Sequence, residues 1–347
     1  MIEIPTYIIV CILSGYLCYL FVPLVKNYCE EHELYDMPGP RKIHKLPIPR
    51  LGGVAIFIAY FLGLLPAFLL MPEILKDNLN TMAGIFLSGL IIFALGIVDD
   101  VKGLKPLTKL GWEVVACMVL IAFGVRLEII NIPFYRLVDF GLWGIPLTII
   151  WLVAITNTIN LIDGLDGLAA GVSAIIAISF LVLSQIMGLT LPSLLAAGVI
   201  GVTLAFLKYN YFPAVIFMGD SGSLFLGFIF GVISLFWPKS FATVVMFIPI
   251  LALGVPIIEV LITFFRRLIA RKKIYIADQH HIFHFLLNLG VPEKVTVWLF
   301  YLISIQFALA TYGIVGGNLN ILFVLQAVFI ILTAVIISRN LKLDSNR

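Results

Sequence analysis

Charged residues are scarce in this chain. Asp, Glu, Lys and Arg together make up 12% of its 347 residues, whereas hydrophobic residues make up 62%. Soluble globular domains contain about 25% charged residues, so this composition excludes a soluble enzyme or a soluble binding module. It predicts a polytopic membrane protein, organised as a single integral membrane domain over residues 1–347.

Cysteine is also rare, and no CxxC spacing occurs. The four cysteines, Cys11, Cys18, Cys29 and Cys117, lie in or beside predicted helices. We interpret them as reduced, small apolar residues, which argues against a disulfide framework or a cysteine metal site. The first apolar stretch lacks a basic n-region and a small-residue cleavage site, so we do not expect it to be a cleaved signal peptide.

Long apolar windows are abundant instead. A helix needs about 17–25 apolar residues to cross the hydrocarbon of a bilayer. Such windows lie at 5–25, 52–71, 80–98, 110–125, 144–161, 168–187, 190–207, 222–237, 241–264, 295–313 and 320–338. The sequence therefore predicts an all-α membrane protein of about eleven transmembrane helices, with an external hairpin or loop between Arg126 and Trp143.

Lys and Arg are distributed very unevenly between the two sides of this topology. Only Lys76, Arg126, Arg136 and Lys239 lie on one side, which leaves eighteen of the twenty-two basic residues on the other. By the positive-inside rule the richer side is cytoplasmic. We therefore expect a multi-pass protein of the inner membrane with its N-terminus outside and its C-terminus and functional loops in the cytoplasm.

The stretch TNTINLIDGLDGLAAG (156–171) places four polar residues between apolar runs. Asn157, Asn160, Asp163 and Asp166 recur every third residue, and glycines after the two aspartates end the helix. Unpaired carboxylates at membrane depth cost several kcal/mol, so this stretch is a candidate site. The alternative is a simple turn between two membrane helices, capped by Asx side chains at the water surface.

Two further cytoplasmic segments carry charge next to predicted helices. In DMPGPRKIHKLPIPRLGG (36–53) a Pro- and Gly-rich loop with Lys45 and Arg50 could bind an anionic group, or could serve only to fix the topology. Asp99 and Asp100 end a helix, where the macrodipole prefers cations. We therefore expect a nearby cation from the three lysines that follow, or a Mg²⁺ ion. Glu113 is expected to pair with Lys109 at i,i+4.

Two later segments add polar groups on the same side. Asp220 and Ser221 are expected to cap the next helix, with its first N–H groups open to an anion. His280, His281 and His284 cluster in the last and longest loop. No further ligand at a zinc spacing accompanies them, so phosphate contact or proton transfer is favoured over a metal site. A surface amphipathic helix with incidental histidines is the alternative.

All these polar clusters fall on the predicted cytoplasmic face. Crowded carboxylates raise one another's pKa unless a cation joins them. With basic loops beside them, they suggest a phosphorylated substrate bridged by Mg²⁺. The pattern therefore predicts phosphoryl transfer at the membrane surface.

Five motifs in this order resemble the polyprenyl-phosphate N-acetylhexosamine-1-phosphate transferases, and the resemblance covers most of the chain. They are PGPRKIHKLPIPRLGG (38–53), the pair 99–100, NTINLIDGLDGLAAG (157–171), YNYFPAVIFMGDSGS (209–223) and DQHHIFHFLL (278–287). The resemblance implies that a UDP-amino sugar and a polyprenyl phosphate react at the cytoplasmic face with Mg²⁺, or Mn²⁺ in its place. The products would be UMP and a polyprenyl-diphospho-sugar that starts the synthesis of a cell-envelope polysaccharide.

The resemblance also implies roles for individual residues. Asp220 and Asn160 would hold the metal, with Asp99 and Asp100 beside it and the lipid phosphate. Phe217 would stack on uracil. The remaining candidates are the catalytic Asp163, His281 and His284 and the substrate-binding Lys45, Arg50, Asn157, Asp166, Asn210 and His280.

Three positions depart from the family pattern. Phe283 replaces the middle histidine of the last motif and Phe285 an arginine, which puts diphosphate contacts there in doubt, and Glu259 stands where aspartate is expected.

The start of the last motif resembles the branch that uses UDP-GlcNAc. The expected partners are therefore UDP-GlcNAc, undecaprenyl phosphate or another polyprenyl phosphate, membrane lipids and a second copy in a homodimer, with no nucleic acid. The alternatives are the muramoyl-pentapeptide transferase and, from another class, an ion-coupled transporter. A transporter should carry charges near the bilayer midplane.

Overall fold

The computed structural model describes residues 6–39, 46–127, 129–132, 136–236, 282–315 and Ala327. Helices dominate these residues: α1 Thr6–Glu31, α2 Gly52–Leu70, α3 Pro72–Lys102, α4 Pro106–Ala122, α5 Gly144–Ile162, α6 Leu168–Ile186, α7 Thr190–Asn210, α8 Gly219–Leu235, α9 Ile282–Asn288 and α10 Glu293–Val315. Two short antiparallel pairs accompany them, β1 Tyr35–Asp36 with β2 Ile48–Pro49 and β3 Ile129–Ile132 with β4 Arg136–Asp139.

The predicted all-α membrane fold is confirmed. Within the described residues, seven helices are long and apolar enough to cross a membrane, and α8 is a shorter apolar helix. Nine of the eleven predicted windows lie on helices, α4 among them, while 241–264 and 320–338 lie outside the described residues. The β3–β4 hairpin matches the loop expected between Arg126 and Trp143. Helices suit this environment because they satisfy their backbone polar groups internally.

Helix α8 lies at the centre of the bundle. It packs against α2, α3 and α5, and all of its residues are buried except Asp220 in the first turn. In contrast, α1 exposes apolar side chains such as Ile12 and Leu24, as expected for a face that meets lipid. Asp220 is thus a charged and partly exposed residue at the start of an otherwise buried helix.

Glycines allow two other elements to approach the first turn of α8 closely. A Cβ atom at Gly53 would lie 2.2 Å from the backbone nitrogen of Gly222, and one at Gly96 would lie 2.3 Å from the Cα of Ser221. No side chain fits at such distances. The start of α2 and the last part of α3 are therefore in backbone contact with α8, which brings the residues just before α2 and at the end of α3 to Asp220.

The chain then closes around the same end of the bundle. The β1–β2 pair aligns Asp36 with Ile48 and Tyr35 with Pro49, which places the acidic residue next to the segment that leads into α2. The turn between α5 and α6 lies at this end too, since Leu165 and Leu168 are buried against the core and Gly167 adopts a left-handed φ of +77°. The predicted helix break at 163–167 is thus confirmed.

Candidate functional site

The first turn of α8 is capped by a side chain from another helix. The carboxylate of Asp100 accepts the backbone N–H of Asp220 at 2.8 Å and that of Ser221 at 3.0 Å, and also the Ser221 hydroxyl at 2.7 Å. An anion is stabilised at a helix N-terminus by these N–H groups and by the macrodipole. The prediction that the first N–H groups are open to an external anion is therefore wrong, because Asp100 already occupies them.

The predicted N-cap is wrong for the same turn. Helix α8 begins at Gly219, two residues earlier than an N-cap at Asp220 predicts, and Asp220 lies inside the first turn. Gly219 has a φ of +71°, and a Cβ there would lie 2.5 Å from Oδ2 of Asp100. Only glycine fits at position 219 without strain. Because the helix starts before Asp220, the Asp220 side chain does not cap it and instead faces charged groups from other elements.

Arg50 is one of two cations among the described residues that meet these carboxylates. Its Nε lies 3.0 Å from Asp100, and its terminal nitrogens lie 3.5 Å from Asp36 and 3.9 Å from Asp220. Burial lowers the Arg50 pKa, but the charges of Asp100 and Asp220 outweigh it and the pKa is raised. The guanidinium is therefore a fixed positive charge that joins three separate segments of the chain.

Lys109 is the second cation, and it confirms the expectation of a positive charge near the 99–100 pair. Its Nζ lies 2.9 Å from Oδ2 of Asp99 and also binds Oδ2 of Asp220. The other Asp99 oxygen accepts the Leu104 N–H at 2.5 Å. Both Asp99 oxygens are thus engaged by the segment that follows the helix.

Glu113 does not follow the prediction that it pairs with Lys109. It is 1% exposed and accepts a hydrogen bond of 2.6 Å from Nδ2 of Asn157 on α5. A buried carboxylate needs a close donor, and α5 supplies one while Lys109 is drawn to the two aspartates. Asn157 therefore ties α5 to α4 in this structure, and its predicted contact with substrate stays a prediction.

Asn160, on α5, also contacts the first turn and a half of α8. Its Nδ2 donates to the Ser223 hydroxyl at 2.9 Å, and that hydroxyl donates to the Gly219 carbonyl at 2.9 Å. The arrangement assigns the Asn160 side-chain nitrogen to the protein and orients the amide, which leaves Oδ1 as its acceptor atom. A carbonyl oxygen beside the turn that carries Asp220 is a suitable hard ligand.

Asp163 follows the last residue of α5. Burial, then the negative charges of Asp220 and Asp100, raise the pKa of its carboxyl to about 8. Among the described residues, Arg50 and Lys109 face the four carboxylates of Asp36, Asp99, Asp100 and Asp220, which is an excess of negative charge. An additional cation would relieve this excess.

These residues fit a magnesium ion. No group of three His, Cys, Asp or Glu side chains in the described ranges is arranged to hold a metal by itself. Mg²⁺ does not require such a cage, since it is commonly held by one or two carboxylates together with substrate phosphates and water. The donor set is made of hard oxygens and carries surplus negative charge, so Asp220 and Asn160 remain suitable ligands.

Two predicted substrate-binding residues hold the loop at 211–217 to the 163–167 turn. Asn210 is 2% exposed; its Oδ1 accepts the Gly167 N–H at 3.1 Å, and its Nδ2 donates to the Ile216 carbonyl at 3.0 Å. Asp166 accepts the Ala214 N–H at 2.8 Å. Asn210 therefore holds this loop against the 163–167 turn. Direct contact of Asn210 or Asp166 with substrate stays a prediction.

Phe217 ends this loop and is tied to the segment before α2. Its N–H donates to the Pro49 carbonyl at 2.8 Å, and its carbonyl accepts the Gly52 N–H at 2.9 Å. Backbone bonds on both sides fix the ring's attachment point between Arg50 and the first turn of α8. The ring is partly exposed, which is compatible with the predicted stacking role.

The last motif is only partly within the described residues. Lys45, His280, His281 and Glu259 lie outside them, as does the side chain of His284 on α9. Phe283 is 2% exposed, and a Cβ at Gly164 would lie 2.5 Å from its ring. The ring that replaces a histidine thus anchors α9 against the Asp163 turn. Phe285, at the other departure, is 62% exposed.

Sequence reasoning did not identify several residues that complete this constellation. Lys109 was predicted only as one of three neutralising lysines and as the partner of Glu113, Ser221 only as a helix cap, and Asp36 and Ser223 had no predicted role at the site. The Ser-Gly-Ser run after Asp220 was the available signal for the hydroxyls. Asp36 had no such signal, because its contact with Arg50 depends on the β1–β2 pairing.

Comparison with known proteins adds an independent finding. A model described as glycosyl transferase family 4 matches residues 82–238, which include α3 to α8 and most of the site.

Curated relatives align over most of the chain. A Bacillus subtilis protein named "Probable undecaprenyl-phosphate N-acetylglucosaminyl 1-phosphate transferase" is 36% identical over 84% of this chain and 80% of its own length. A Mycobacterium leprae decaprenyl-phosphate N-acetylglucosaminephosphotransferase is 31% identical over 83% and 79%. A Clostridioides difficile phospho-N-acetylmuramoyl-pentapeptide-transferase is 29% identical over 83% and 90%.

Proposed function

Since the chain belongs to glycosyl transferase family 4 and is therefore a multi-pass membrane transferase, we propose that it transfers N-acetylglucosamine 1-phosphate from UDP-N-acetylglucosamine to undecaprenyl phosphate. The products are UMP and the polyprenyl-diphospho-sugar. The resemblance drawn from the five sequence motifs is confirmed by this membership. The names of the Bacillus subtilis and Mycobacterium leprae relatives support the choice of sugar and of lipid class.

The observation that carries the proposal is the charged cluster at one end of the bundle. Asp99 ends α3, Asp220 starts α8, and Arg50 and Lys109 bind their carboxylates. The groups come from the ends of helices, so they lie at a surface and not at the middle of the spans. An ion-coupled transporter would need charges at the midplane, whereas a transferase needs them where a water-soluble nucleotide meets a membrane lipid.

The proposed reaction is a direct displacement at the sugar-bearing phosphorus. An oxygen of the lipid phosphate forms the new P–O bond, while the bond from that phosphorus to the bridging oxygen breaks and UMP leaves with the electron pair. A bound Mg²⁺ (or Mn²⁺), with Asp220 and Asn160 as ligands, would neutralise charge on the diphosphate. The protein supplies position through Phe217 and its anchored loop.

Arg50 and Lys109 are suited to the charge that develops. Both cations are held beside Asp220 by carboxylates, so positive charge is already in place near the site where an anionic diphosphate would bind. Lys109 binds Asp99 and Asp220 together. Lys109 would contact the diphosphate by exchanging one of these partners for a phosphate oxygen.

Asp99 is not needed as a covalent nucleophile. A phosphate monoester has a second pKa near 6, so the acceptor is mostly dianionic at neutral pH. Asp99→Asn is therefore expected to keep measurable transfer that rises as pH increases from about 6 to 8, measured as radiolabelled lipid product. UMP released in stoichiometric amount without lipid, together with a sugar-phosphate adduct on Asp99, would contradict the direct displacement.

The orientation of the protein is testable with single cysteines. We place the site on the cytoplasmic side of the inner membrane, so cysteine at Lys102 or Asn288 should resist a membrane-impermeant alkylating reagent in intact cells. Lys102 is preferred to its neighbour Gly103, whose φ of +68° disfavours other residues. Cysteine at Lys76, exposed at the other end of α3, should be labelled. The reverse pattern would invert the topology.

The function itself is tested with purified protein, undecaprenyl phosphate and a panel of radiolabelled UDP-sugars. Lipid-linked product from UDP-N-acetylglucosamine alone would support the proposal. Product from UDP-N-acetylmuramoyl-pentapeptide alone would reassign the chain to the activity named for the 29% identical relative. No product with any donor would overturn the proposal and favour the alternative of an ion-coupled transporter.

A further inference from the structure

Helix α10 contacts the 163–167 turn through a buried tyrosine. The Tyr301 hydroxyl donates to the Gly167 carbonyl at 2.6 Å. Its ring lies against α6, where a Cβ at Gly171 would be 2.2 Å from the ring and the hydroxyl. The turn residue that receives this bond has a φ of +77°, so its peptide is held from outside in a conformation that only glycine adopts readily.

The same helix contacts the loop at 211–217. Nε1 of Trp298 donates to the Tyr211 hydroxyl at 3.1 Å, and the Lys294 ammonium lies 4.8 Å from the centre of the Phe212 ring. Trp298 and Tyr301 stack edge to face with centroids 5.7 Å apart. The first three turns of α10 therefore touch both segments that Asn210 joins.

A continuous path of hydrogen bonds leads from Tyr301 to Phe217. Gly167 accepts the tyrosine hydroxyl with its carbonyl and donates its N–H to Asn210, and Asn210 donates to the carbonyl of Ile216, the residue before Phe217. Because Asn210 has both amide atoms engaged, a shift of Gly167 must be transmitted to the loop or must break one of these bonds.

We propose that Tyr301 is a positioning residue for the donor nucleotide, acting through Gly167 and Asn210 on the place of Phe217. The inference rests on the proposed function, in which Phe217 faces the uracil ring. Helix α10 lies outside the residues matched by the family model. The inference gives this helix a role in the affinity for the donor nucleotide. Within the described residues the Tyr301 hydroxyl donates to the Gly167 carbonyl and to no carboxylate of the charged cluster, so we expect its effect to fall on the nucleotide.

The test is Tyr301→Phe, which removes one hydroxyl and keeps the ring against Gly171. We expect the KM for UDP-N-acetylglucosamine to rise about 3- to 10-fold, which lies within the range for one lost hydrogen bond, while kcat and the KM for undecaprenyl phosphate change less than about twofold. Ser304→Ala is the matched control, since this buried hydroxyl on the same helix bonds only within it, to Phe300. That variant should leave both KM values unchanged.

Three results would overturn the inference: an unchanged donor KM in Tyr301→Phe, an equal rise in the KM of both substrates, or the same rise in Ser304→Ala. Thermal unfolding of both variants in detergent checks that each is folded. If the wild-type protein shows no transferase activity, the proposed function fails, and UDP binding by titration calorimetry then decides the inference. A weaker Kd in Tyr301→Phe alone supports it, and equal Kd values reject it.

Discussion

Asp220→Asn is expected to reduce sugar-phosphate transfer at least about 100-fold while leaving the protein folded. Loss of a residue that only supports metal ligands typically costs 10–100-fold, and a direct carboxylate ligand should cost no less. The substitution changes volume little but removes the negative charge on the first turn of α8 that binds both Lys109 and Arg50. The neutral amide is also a weaker ligand for Mg²⁺.

The measurement is initial rate against Mg²⁺ concentration for the wild type and the variant. Raising Mg²⁺ should recover part of the activity of Asp220→Asn, because weakened metal affinity is overcome by mass action. Asp77→Asn is the matched control, since Asp77 is exposed at the opposite end of α3. Turnover like that of the wild type at low Mg²⁺ in Asp220→Asn would reject this carboxylate as a metal ligand.

The helices could be predicted from sequence because each depends on a local property. A run of about 20 apolar residues specifies a membrane helix without knowledge of its neighbours, and the glycines at 164 and 167 specify a break. The position of Asp220 within α8 could not be predicted equally well. Its N-cap role was the better local choice, but the Asp100 carboxylate from another helix took the N–H groups that a local cap would have satisfied.

The sequence indicated most of the charged residues that cluster at this end of the bundle, but not how they pair. Adjacent aspartates at a helix C-terminus required a cation, but nothing local distinguished Lys109 from Lys105. The choice depends on Asp220, which is 111 residues away and reaches Lys109 only because Gly53 and Gly96 let three helices meet. Contacts of this separation are set by tertiary packing, which a single sequence does not display.

The role of Phe283 also depends on tertiary packing and could not be predicted from the sequence. From the sequence Phe283 was a missing histidine, which put the diphosphate contacts there in doubt. In the structure its ring is buried against Gly164, so the substitution has a packing role at the Asp163 turn. The outcome for diphosphate binding depends on His281 and His284, whose side chains lie outside the described residues.

Lys109→Met should lower both activity and stability, and this is the second large effect that we expect. Methionine keeps the length of the side chain without its charge, so Asp99 and Asp220 lose a shared ammonium that is only 17% exposed. Loss of hydrogen bonds to charged groups costs about 1.5–3 kcal/mol. Transfer should also fall by about 100-fold or more, because a preorganised positive charge for the diphosphate is removed.

The stability part of this prediction can be separated from catalysis by a double-variant cycle. If Lys109 stabilises the fold by neutralising Asp99, then Asp99→Asn should restore part of the unfolding temperature lost in Lys109→Met, since the unpaired carboxylate is removed with its partner. Activity should not return, because the missing charge acts on the substrate. Lys105→Met, at an exposed position on the same segment, should change neither quantity. Additive losses of stability in the double variant would show that the two residues are not coupled as the 2.9 Å contact between them implies.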